Sequence, residues 1–338
     1  MSMKQYIEKC LAGSDLSEDE AAGALELIMT NQATESQIAG LLIALRSKGE
    51  SIDEVVGFAR TMRAHSVKVR VDDPKAIDMC GTGGDGLSTF NISTVASLVV
   101  SGAGVTVAKH GNRSVSSMSG SADLLVAMGV NIQLAPEDVE LCINTVGFGF
   151  LFAPLFHPAM KHASKTRSEL GVRTIFNMLG PITNPAAVRN QLIGTYQSSV
   201  ASHLAGALEQ LETGHTCIVH ADNGMDEVSL SGGTRVYEIN GDRRTRHYDV
   251  SAADFGLEDH PVEAFRGGDS RENADIALRV LHGEASPARD VVIANSSFGL
   301  YVAGRARDLK EGTEIAAESI DSQRALNKLK QLVEFTNR

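Results

Sequence analysis

The apolar pattern of this chain changes near Val67, and that change constrains the fold more than any other feature. Residues 1–65 show helical apolar spacing, whereas strand-like and helix-like segments alternate from there to the end of the chain. Such alternation is typical of mostly parallel strands covered by helices. The sequence therefore predicts an α/β protein, with a small all-helical domain and a large α/β domain around a central, mostly parallel sheet.

Three capping boxes mark helix starts within the first 65 residues: Ser17 with Glu20, Thr34 with Gln37 and Ser51 with Glu54. In each pair the first side chain accepts from an amide of the first turn, and the second reaches back to the amide of its partner. We therefore predict four short helices, separated near Gly13, Asn31 and Gly49. On these residues alone the unit is either a packing unit or also a dimerisation surface.

The second part of the chain contains the predicted strands and the helices that connect them. We predict strands at residues 76–80, 105–108, 217–220 and 291–295, and helices at residues 91–102, 121–128 and 323–335. Residues 235–248 alternate around Asn240 and Gly241, a pair that favours a tight turn between strands. A hairpin appended to the sheet is therefore expected there.

A glycine-rich loop, Gly81-Thr-Gly-Gly-Asp-Gly86, follows the strand predicted at residues 76–80. A nicotinamide-binding loop of this pattern needs an acidic residue about 20 positions later, but no Asp or Glu lies between Asp85 and Asp123. An ATP-binding P-loop needs a Lys after the last glycine, and Leu87 stands there instead. The loop is therefore predicted to bind an anion through its exposed amides.

Asn91, Ser93 and Thr94 open the helix that follows, and ordinary capping alone would account for them. Beside the glycine loop, however, their hydroxyls and the amides of a first helical turn suit a phosphate group. The next strand ends in Lys109-His-Gly-Asn-Arg113, which a run of serines follows. Because ligands of parallel sheets bind at the carboxyl ends of strands, the two loops predict one site for a phosphate-bearing ligand.

Asp226 and Glu227 lie in a glycine-containing loop after the strand predicted at residues 217–220. On their own they are compatible with a solvated acidic loop. Beside two phosphate-binding loops they predict a Mg²⁺ site, because this ion takes carboxylate and phosphate oxygens. His and Cys residues are scattered along the sequence, which disfavours zinc.

The net charge of −11, from 31 basic and 42 acidic residues, disfavours a nucleic-acid-binding protein. The acids are unevenly distributed, because residues 86–122 and 141–208 together contain seven basic residues and only one acid, Glu169. A cationic zone in an acidic body favours small anions, and an Arg such as Arg167 or Arg173 suits a carboxylate. Four widely spaced cysteines and an N-terminus without an apolar run predict a cytoplasmic protein without a membrane span.

Seven segments occur here in the order and spacing of the anthranilate phosphoribosyltransferases, and together they extend over nearly the whole chain. They are Gly81-Thr-Gly-Gly-Asp85, Asn91-Ile-Ser-Thr94, Lys109-His-Gly-Asn-Arg113, His157-Pro-Ala-Met160, Arg173-Thr-Ile-Phe-Asn177, Gly180-Pro-Ile-Thr-Asn-Pro185 and Met225-Asp-Glu227. Single segments are shared with pyrimidine nucleoside phosphorylases, and Met118 stands where many members carry Lys. The chain thus resembles the anthranilate phosphoribosyltransferase family.

The resemblance implies a fold of the nucleoside phosphorylase and phosphoribosyltransferase type. Residues 1–65 plus about 170–190 would form the helical domain, and residues 66–169 plus 191–338 the α/β domain. It also implies that the chain transfers the phosphoribosyl group of phosphoribosyl pyrophosphate to the amine of anthranilate, releasing pyrophosphate, in tryptophan biosynthesis. A homodimer formed through the helical domain and two Mg²⁺ ions per monomer are implied as well.

Site residues follow from the resemblance position by position. Ser93, Asp226 and Glu227 would bind Mg²⁺, and anthranilate would contact Gly81, Asn112 and Arg167. The residues that would hold phosphoribosyl pyrophosphate are Gly81, Gly84, Asp85, Thr89, Asn91, Ile92, Ser93, Thr94, Lys109, His110, Gly111, Asn112, Arg113, Ser114, Val115, Ser116, Ser117 and Ser121.

No residue is predicted with certainty to act as a general base, and the chemistry does not demand one. The amine of anthranilate is neutral at pH 7, so positioning and charge stabilisation would carry the reaction. His110 is the candidate for proton handling, and a hydrogen-bonded loop histidine is an equal alternative. Two other functions stay open: a nucleoside phosphorylase, which would not need the acidic pair, and a non-catalytic nucleic-acid-binding relative, which should present a broad basic surface.

Overall fold

Four helices form the N-terminal unit of the structure, a computed structural model that describes residues 1–114, 118–241 and 244–338. They are α1 (Met3–Leu11), α2 (Glu18–Met29), α3 (Glu35–Lys48) and α4 (Ile52–His65). The predicted capping boxes are confirmed, because the hydroxyl oxygens of Ser17, Thr34 and Ser51 each accept from the amide of the third helical residue at 3.3 Å. Local capping chemistry thus defines where α2, α3 and α4 begin.

Strands and helices alternate through the rest of the chain. The strands are β1 (Ile77–Gly81), β2 (Val107–Gly111), β3 (Phe148–Phe152), β4 (Asn190–Gly194), β5 (His215–Ala221), β6 (Thr234–Asn240) and β7 (Thr245–Val250). The helices are α5 (Ile92–Gly102), α6 (Ser121–Ala127), α7 (Pro136–Val146), α8 (Ala153–Phe156), α9 (Lys161–Leu170), α10 (Phe176–Ile182), α11 (Ser198–Gln210), α12 (Ala252–Phe255), α13 (Ser270–Leu281), α14 (Pro287–Val302), α15 (Leu309–Asp321) and α16 (Arg324–Thr336). Across the described ranges, every helix is too short or too polar to traverse a bilayer.

The seven strands form one mixed sheet in the order β3-β2-β1-β4-β5-β6-β7. The first five strands of that order are parallel, and β6 and β7 add an antiparallel hairpin, as predicted. In the register of β1 and β4, Gly81 lies opposite Gly194. The loops that follow β1, β2, β4 and β5 therefore leave the sheet along one edge, which brings distant parts of the sequence together.

Different helices cover the two faces of the sheet. Helices α5, α14, α15 and α16 pack on one face around a buried core that includes Met79, Val99 and Phe298. A second core joins α1–α4 to α9, α10 and α11 and continues onto the other face at Ile193 and Ile218. The helical unit is thereby fixed to the sheet by a continuous apolar contact.

The predicted strand at residues 291–295 is wrong, because these residues lie inside α14 (Pro287–Val302). They are buried all round, so they show no polar face from which a helical period could be recognised. The N-cap Ser286, which accepts from the Arg289 amide, and Pro287 at the first helical position were the available signals. Strands β3 and β4 were missed by the sequence-based prediction.

Candidate active site

The glycine loop leaves β1 at the carboxyl edge of the sheet and turns sharply away from the strand. Gly83, Gly84 and Gly86 have φ angles of 69°, 79° and 77°, which residues with a side chain rarely adopt. The Gly83 amide donates to Asp226 Oδ2 at 2.7 Å, whereas the amides of Gly84 and Asp85 donate to no other described residue. Two backbone donors at this edge are therefore available to an anion.

Helix α5 begins beside this loop, and its first turn contacts the acidic pair. The Ser93 amide donates to Glu227 Oε1 at 3.0 Å. Asn91 occupies the N-cap position, but its side chain makes no capping bond, contrary to the prediction. Its Nδ2 donates to the Ser119 carbonyl at 3.0 Å, and its Oδ1 accepts from Asn273 Nδ2 at 3.1 Å. Long-range partners replace the local cap, so Asn91 joins α5 to the serine-rich loop and to α13.

The end of β2 directs Lys109 into the interior. Lys109 is 1% exposed, and its ammonium donates to the Met79 carbonyl of β1. The carboxylate of Asp78 accepts from the His110 amide at 3.1 Å, and burial raises the pKa of Asp78 to about 6. The positive charge of Lys109 acts in the opposite direction on the pKa of Asp78 and of Glu227. Lys109 is therefore a buried counter-charge for Asp78 of β1 and for Glu227 in the loop after β5.

Asp123 of α6 holds both ends of the loop that follows β2. Its Oδ1 accepts from Arg113 Nη1 at 2.7 Å, and its Oδ2 accepts from the amides of Ser114 and Gly120 at 3.1 and 3.0 Å. These contacts lower the pKa of Asp123, although burial opposes them. The loop base is thus ordered around one carboxylate. Three of the predicted ligand contacts lie outside the described residues: Val115, Ser116 and Ser117.

Other residues predicted to hold the phosphoribosyl ligand differ in what they present at this edge. The side chains of Ile92 and Thr94 are buried under the first turn of α5. Thr89 forms an isolated bridge to the segment before α13. Ser121 donates its hydroxyl to the Asn112 carbonyl at 3.3 Å, which places both at the mouth of the β2 loop. Within the described ranges, the structure therefore brings the predicted ligand residues to one edge, some by side chain and some by backbone.

The charge of Asp226 interacts with the carboxylates of both Asp85 and Glu227. Desolvation raises the pKa of Asp226 and the nearby Asp85 raises it further, while desolvation and Asp226 together raise the pKa of Glu227. Asp85 Oδ2 is buried and has no hydrogen-bond partner among the described residues. Acids held together against their mutual repulsion are typical of a divalent-cation site, and their hard oxygens suit Mg²⁺. The donor set thus fits the predicted ion.

A second group of metal-ligand types, His215, Cys217 and Glu238, was not predicted, because its members are brought together only by the pairing of β5 with β6. It lies at the opposite edge of the sheet, at the start of β5. Glu238 Oε1 accepts from Tyr301 Oη at 2.8 Å and bonds His215 Nε2 at 2.7 Å. The members are already hydrogen-bonded to one another or to Tyr301, and they lie at the opposite ends of the strands from the phosphate loops.

Arg167 and two histidines lie against α10. The Arg167 guanidinium stacks over the Phe176 ring, with 4.9 Å between its central carbon and the ring centroid, and it has no acidic partner among the described residues. His110 Nδ1 bonds the Gly180 carbonyl at 3.0 Å, and the ring of His157 lies 5.1 Å away. Desolvation lowers the pKa of His110 to about 3 and that of His157 to about 4, so both are neutral at pH 7.

His157 lies beside His110, and sequence reasoning gave it no role, although its His-Pro-Ala-Met segment was recognised. Like His110, it is buried and its Nε2 has no hydrogen-bond partner within the described residues. Because Nδ1 of His110 faces a carbonyl, Nδ1 carries the proton and Nε2 is left as an acceptor. The pair thus leaves two buried ring nitrogen atoms close to α10 without a hydrogen-bond partner among the described residues.

Arg173, a candidate for carboxylate binding, is engaged elsewhere. Its guanidinium stacks over the Tyr196 ring with 3.7 Å to the centroid, and Nη2 donates to the Gly84 carbonyl. Arg167 and Arg173, which lie six positions apart, therefore face different parts of the site. Of these two arginines, Arg167 is the one without an ion pair or hydrogen-bond partner among the described residues, whereas Arg173 bonds the glycine loop.

Gly194 permits the acidic pair to approach β4. A Cβ at this position would overlap the Asp226 carbonyl, which is backbone and cannot swing aside. We therefore expect Gly194→Ala to destabilise the fold by about 3 kcal/mol and to weaken Mg²⁺ binding, as measured by thermal melting and calorimetry. Gly180→Ala is the matched control, since no atom lies within 4 Å of its added Cβ. Equal melting temperatures for the two variants would contradict the expected overlap.

Two family models match the chain. The model described as glycosyl transferase family, helical bundle domain, matches residues 4–66, and the model described as glycosyl transferase family, a/b domain, matches residues 73–326. The first coincides with α1–α4, and the second contains every strand of the sheet. Both units of the fold are therefore those of one family of glycosyl transferases.

Individual relatives agree along the full length. An anthranilate phosphoribosyltransferase of Pelotomaculum thermopropionicum is 50% identical over 335 residues, which cover 99% of this chain and 96% of the relative. The crystal structure of the Thermus thermophilus enzyme of that name has 41% identity and a TM-score of 0.93, covering 98% of this chain and 99% of that one. The Saccharomyces cerevisiae enzyme, solved in complex with PRPP and Mg, has 31% identity and a TM-score of 0.91, with 99% and 98% covered. The chain thus belongs to the anthranilate phosphoribosyltransferase family.

Proposed function

We propose that this chain transfers the phosphoribosyl group of phosphoribosyl pyrophosphate to the amine of anthranilate and releases pyrophosphate, in tryptophan biosynthesis. One observation carries the proposal: a glycine loop with available amides, the first turn of α5 and three carboxylates converge at one sheet edge. Structures of the Saccharomyces cerevisiae relative are described as complexes with PRPP and Mg and with 4-fluoroanthranilate. The substrates proposed for this chain, phosphoribosyl pyrophosphate and anthranilate, are of the same chemical classes as those ligands.

The pyrophosphate and ribose phosphate are assigned to the glycine loop, α5 and the loop after β2. The amides of Gly84 and Asp85 and the Ser93 hydroxyl supply donors near the N-terminus of α5, where the helix dipole favours negative charge. Arg113 carries a positive charge at the loop base, although Asp123 already pairs with it. Among the predicted ligands, Lys109 contributes through its buried charge, because its ammonium is held by the Met79 carbonyl.

Asp226 and Glu227 are assigned to Mg²⁺, with the Ser93 hydroxyl as a further oxygen ligand and two ions per monomer. The orphaned Oδ2 of Asp85 supports the assignment, since a cation would complete its coordination and relieve the repulsion among the three acids. Bound Mg²⁺ would stabilise the negative charge that develops on the departing pyrophosphate. The chain's own part is to hold these oxygens in place, as the Ser93 and Gly83 amides do.

Arg167 is assigned to the carboxylate of anthranilate, with Asn112 and Gly81 as further contacts. Its guanidinium is desolvated against Phe176 and faces no protein acid among the described residues, so a bound carboxylate would supply the missing charge. For His110, the proposed proton-handling role becomes that of a neutral imidazole that accepts a hydrogen bond. A pKa of about 3 makes His110 a weak base. Its Nε2 would therefore orient the amine by accepting a hydrogen bond rather than by removing a proton.

The remaining expectations stay proposals. The division into residues 1–65 plus about 170–190 and residues 66–169 plus 191–338 is supported by the packing of α9 and α10 on α1–α4. A homodimer through the helical unit is supported by Leu11 and Ile43, apolar side chains exposed on α1 and α3. A cytoplasmic location is supported by four free cysteines.

The decisive experiment follows anthranilate fluorescence after phosphoribosyl pyrophosphate is added, with and without Mg²⁺. A Mg²⁺-dependent loss of fluorescence, with pyrophosphate released in equal amount, is the expected result. No loss at micromolar enzyme would refute the proposal. Phosphorolysis of pyrimidine nucleosides in a parallel assay would instead assign the chain to the phosphorylase reaction, which shares some of the sequence segments.

A further inference from the structure

Arg173 links three separate parts of the fold at the glycine loop. It lies in the connection between α9 and α10, which packs with the helical unit, yet its Nη2 donates to the Gly84 carbonyl of the loop after β1. Its guanidinium also stacks over Tyr196, which follows β4, with 3.7 Å to the ring centroid. This half-buried Arg pairs with no acid among the described residues and binds one backbone carbonyl instead. The contact points to a role in holding that carbonyl.

Peptide geometry indicates what the contact between Arg173 and the Gly84 carbonyl does to the loop. The Gly84 carbonyl and the Asp85 amide belong to one planar trans peptide, so they point in opposite directions. Holding the carbonyl toward Arg173 therefore turns the Asp85 amide away from Arg173. That amide donates to no other described residue, and neither does the Gly84 amide beside it. The orientation of the Asp85 amide thus depends on one side-chain contact, whereas the Gly84 amide belongs to the preceding peptide.

Glycine at position 84 allows Arg173 to approach the backbone closely. It also leaves the peptide that carries the Gly84 carbonyl free to rotate. With a φ of 79°, Gly84 lies in a region that other residues avoid, and an added Cβ would lie 3.3 Å from Arg173 Nη2. A glycine peptide with so much freedom would rotate between orientations if nothing held it. Arg173 supplies the restraint, and the Tyr196 face restricts the guanidinium in turn.

We propose that Arg173 is a positioning residue for pyrophosphate binding: by holding the Gly84 carbonyl it directs the Asp85 amide at the pyrophosphate group. This role rests on the proposed function for the identity of the ligand. Arg173 touches the loop and not the reacting atoms, so its effect is on affinity for the phosphorylated substrate. The neighbouring Arg167, six positions earlier on α9, acts on the other substrate.

Substitution of Arg173 by Gln removes the charged donor while keeping a long polar side chain. Because a hydrogen bond from a charged donor is lost, we expect the KM for phosphoribosyl pyrophosphate to rise about tenfold. The KM for anthranilate and the melting temperature should stay at wild-type values. Arg173→Lys keeps a charged donor but not the planar stack, so its KM should be intermediate.

Direct calorimetry of Mg²⁺-pyrophosphate binding separates this role from transfer activity. Arg173→Gln should lower the affinity by a similar factor, about tenfold. Tyr196→Leu, which removes the stacking face, should shift the affinity in the same direction, and Tyr196→Phe should shift it less. Arg235→Gln is the matched control, an exposed arginine on β6 paired with Asp249, and should behave as wild type.

Two results would overturn the role of Arg173. One is a raised KM for anthranilate with unchanged pyrophosphate affinity, because Arg173 would then act on the acceptor. The other is a lowered melting temperature with every kinetic constant affected alike, because Arg173 would then serve the fold alone. If wild-type protein transfers nothing to anthranilate, the proposed function fails, whereas the pyrophosphate calorimetry still decides whether Arg173 orients the loop.

Discussion

Replacing Asp226 by Asn should reduce phosphoribosyl transfer by about two to three orders of magnitude, since metal stabilisation of a leaving group contributes several kcal/mol. Asn is nearly the same size, and its side-chain oxygen can still accept from the Gly83 amide, as Asp226 Oδ2 does at 2.7 Å. The change therefore removes charge and metal affinity while leaving the loop in place. Glu227→Gln should act in the same direction.

The same substitution should raise the melting temperature measured without Mg²⁺. Desolvation and Asp85 together raise the pKa of Asp226, which means that the folded state disfavours its charge. A neutral amide removes that repulsion, so activity and stability should move in opposite directions. A variant damaged in folding would lose both, and the two explanations are thereby distinguished.

Asp222→Asn is the matched control for this experiment. Asp222 lies in the same loop, four positions earlier, and is exposed. Its substitution should leave both transfer and the calorimetric affinity for Mg²⁺ at wild-type values. An Asp226→Asn variant that keeps the wild-type dependence on Mg²⁺ would contradict the assignment of the metal site.

Replacing Arg167 by Ala should raise the KM for anthranilate by about a hundredfold, the effect of losing a bidentate contact between charged groups. The KM for phosphoribosyl pyrophosphate should change by no more than about twofold, because the phosphate loops lie at other strand ends. Arg167 also packs on Phe176, so Arg167→Gln is the second variant, which keeps more of that contact. Steady-state kinetics with each substrate varied in turn gives both constants.

Anthranilamide, in which the carboxylate is a neutral amide, tests the same pair from the substrate side. Wild-type protein should prefer anthranilate strongly, and Arg167→Ala should show little preference between the two acceptors. Lys165→Ala is the matched control, since Lys165 is an exposed cation on the same helix that pairs with Glu35 at 2.9 Å. An undiminished preference for anthranilate in Arg167→Ala would mean that another group binds the carboxylate.

The sequence-based predictions succeeded where the deciding interaction is local. The capping boxes at Ser17, Thr34 and Ser51 each involve residues three positions apart, so the chain itself places the partners in reach. The strands before the glycine loop and before Asp226 were likewise recognisable from short apolar runs bounded by glycine. Position at a strand end then implied a shared edge, which the parallel order of the sheet confirms.

Predictions failed or fell short where burial or distant partners decide. Residues 291–295 are apolar on every side because α14 is buried all round, and such a run has the same composition in a strand or in a helix. Asn91 is a good N-cap by residue type, but Ser119 and Asn273, 28 and 182 positions away, take its side chain instead. Spacing rules for residues near one another in sequence cannot predict contacts between residues so far apart in the chain.

By itself the sequence determined the two-part fold, the phosphate-type loops, the acidic pair and the family. Each of these features depends on residue types that lie a few positions apart in the sequence. They could be predicted because capping hydrogen bonds and helical or strand periodicity act between residues at the same short spacing. Only the tertiary structure showed what Arg167 and Arg173 contact, because the two are similar in sequence context and differ in their partners, Phe176 and Gly84. It also decided that His110 and His157 are neutral, since the desolvation responsible comes from segments that meet only in the folded chain.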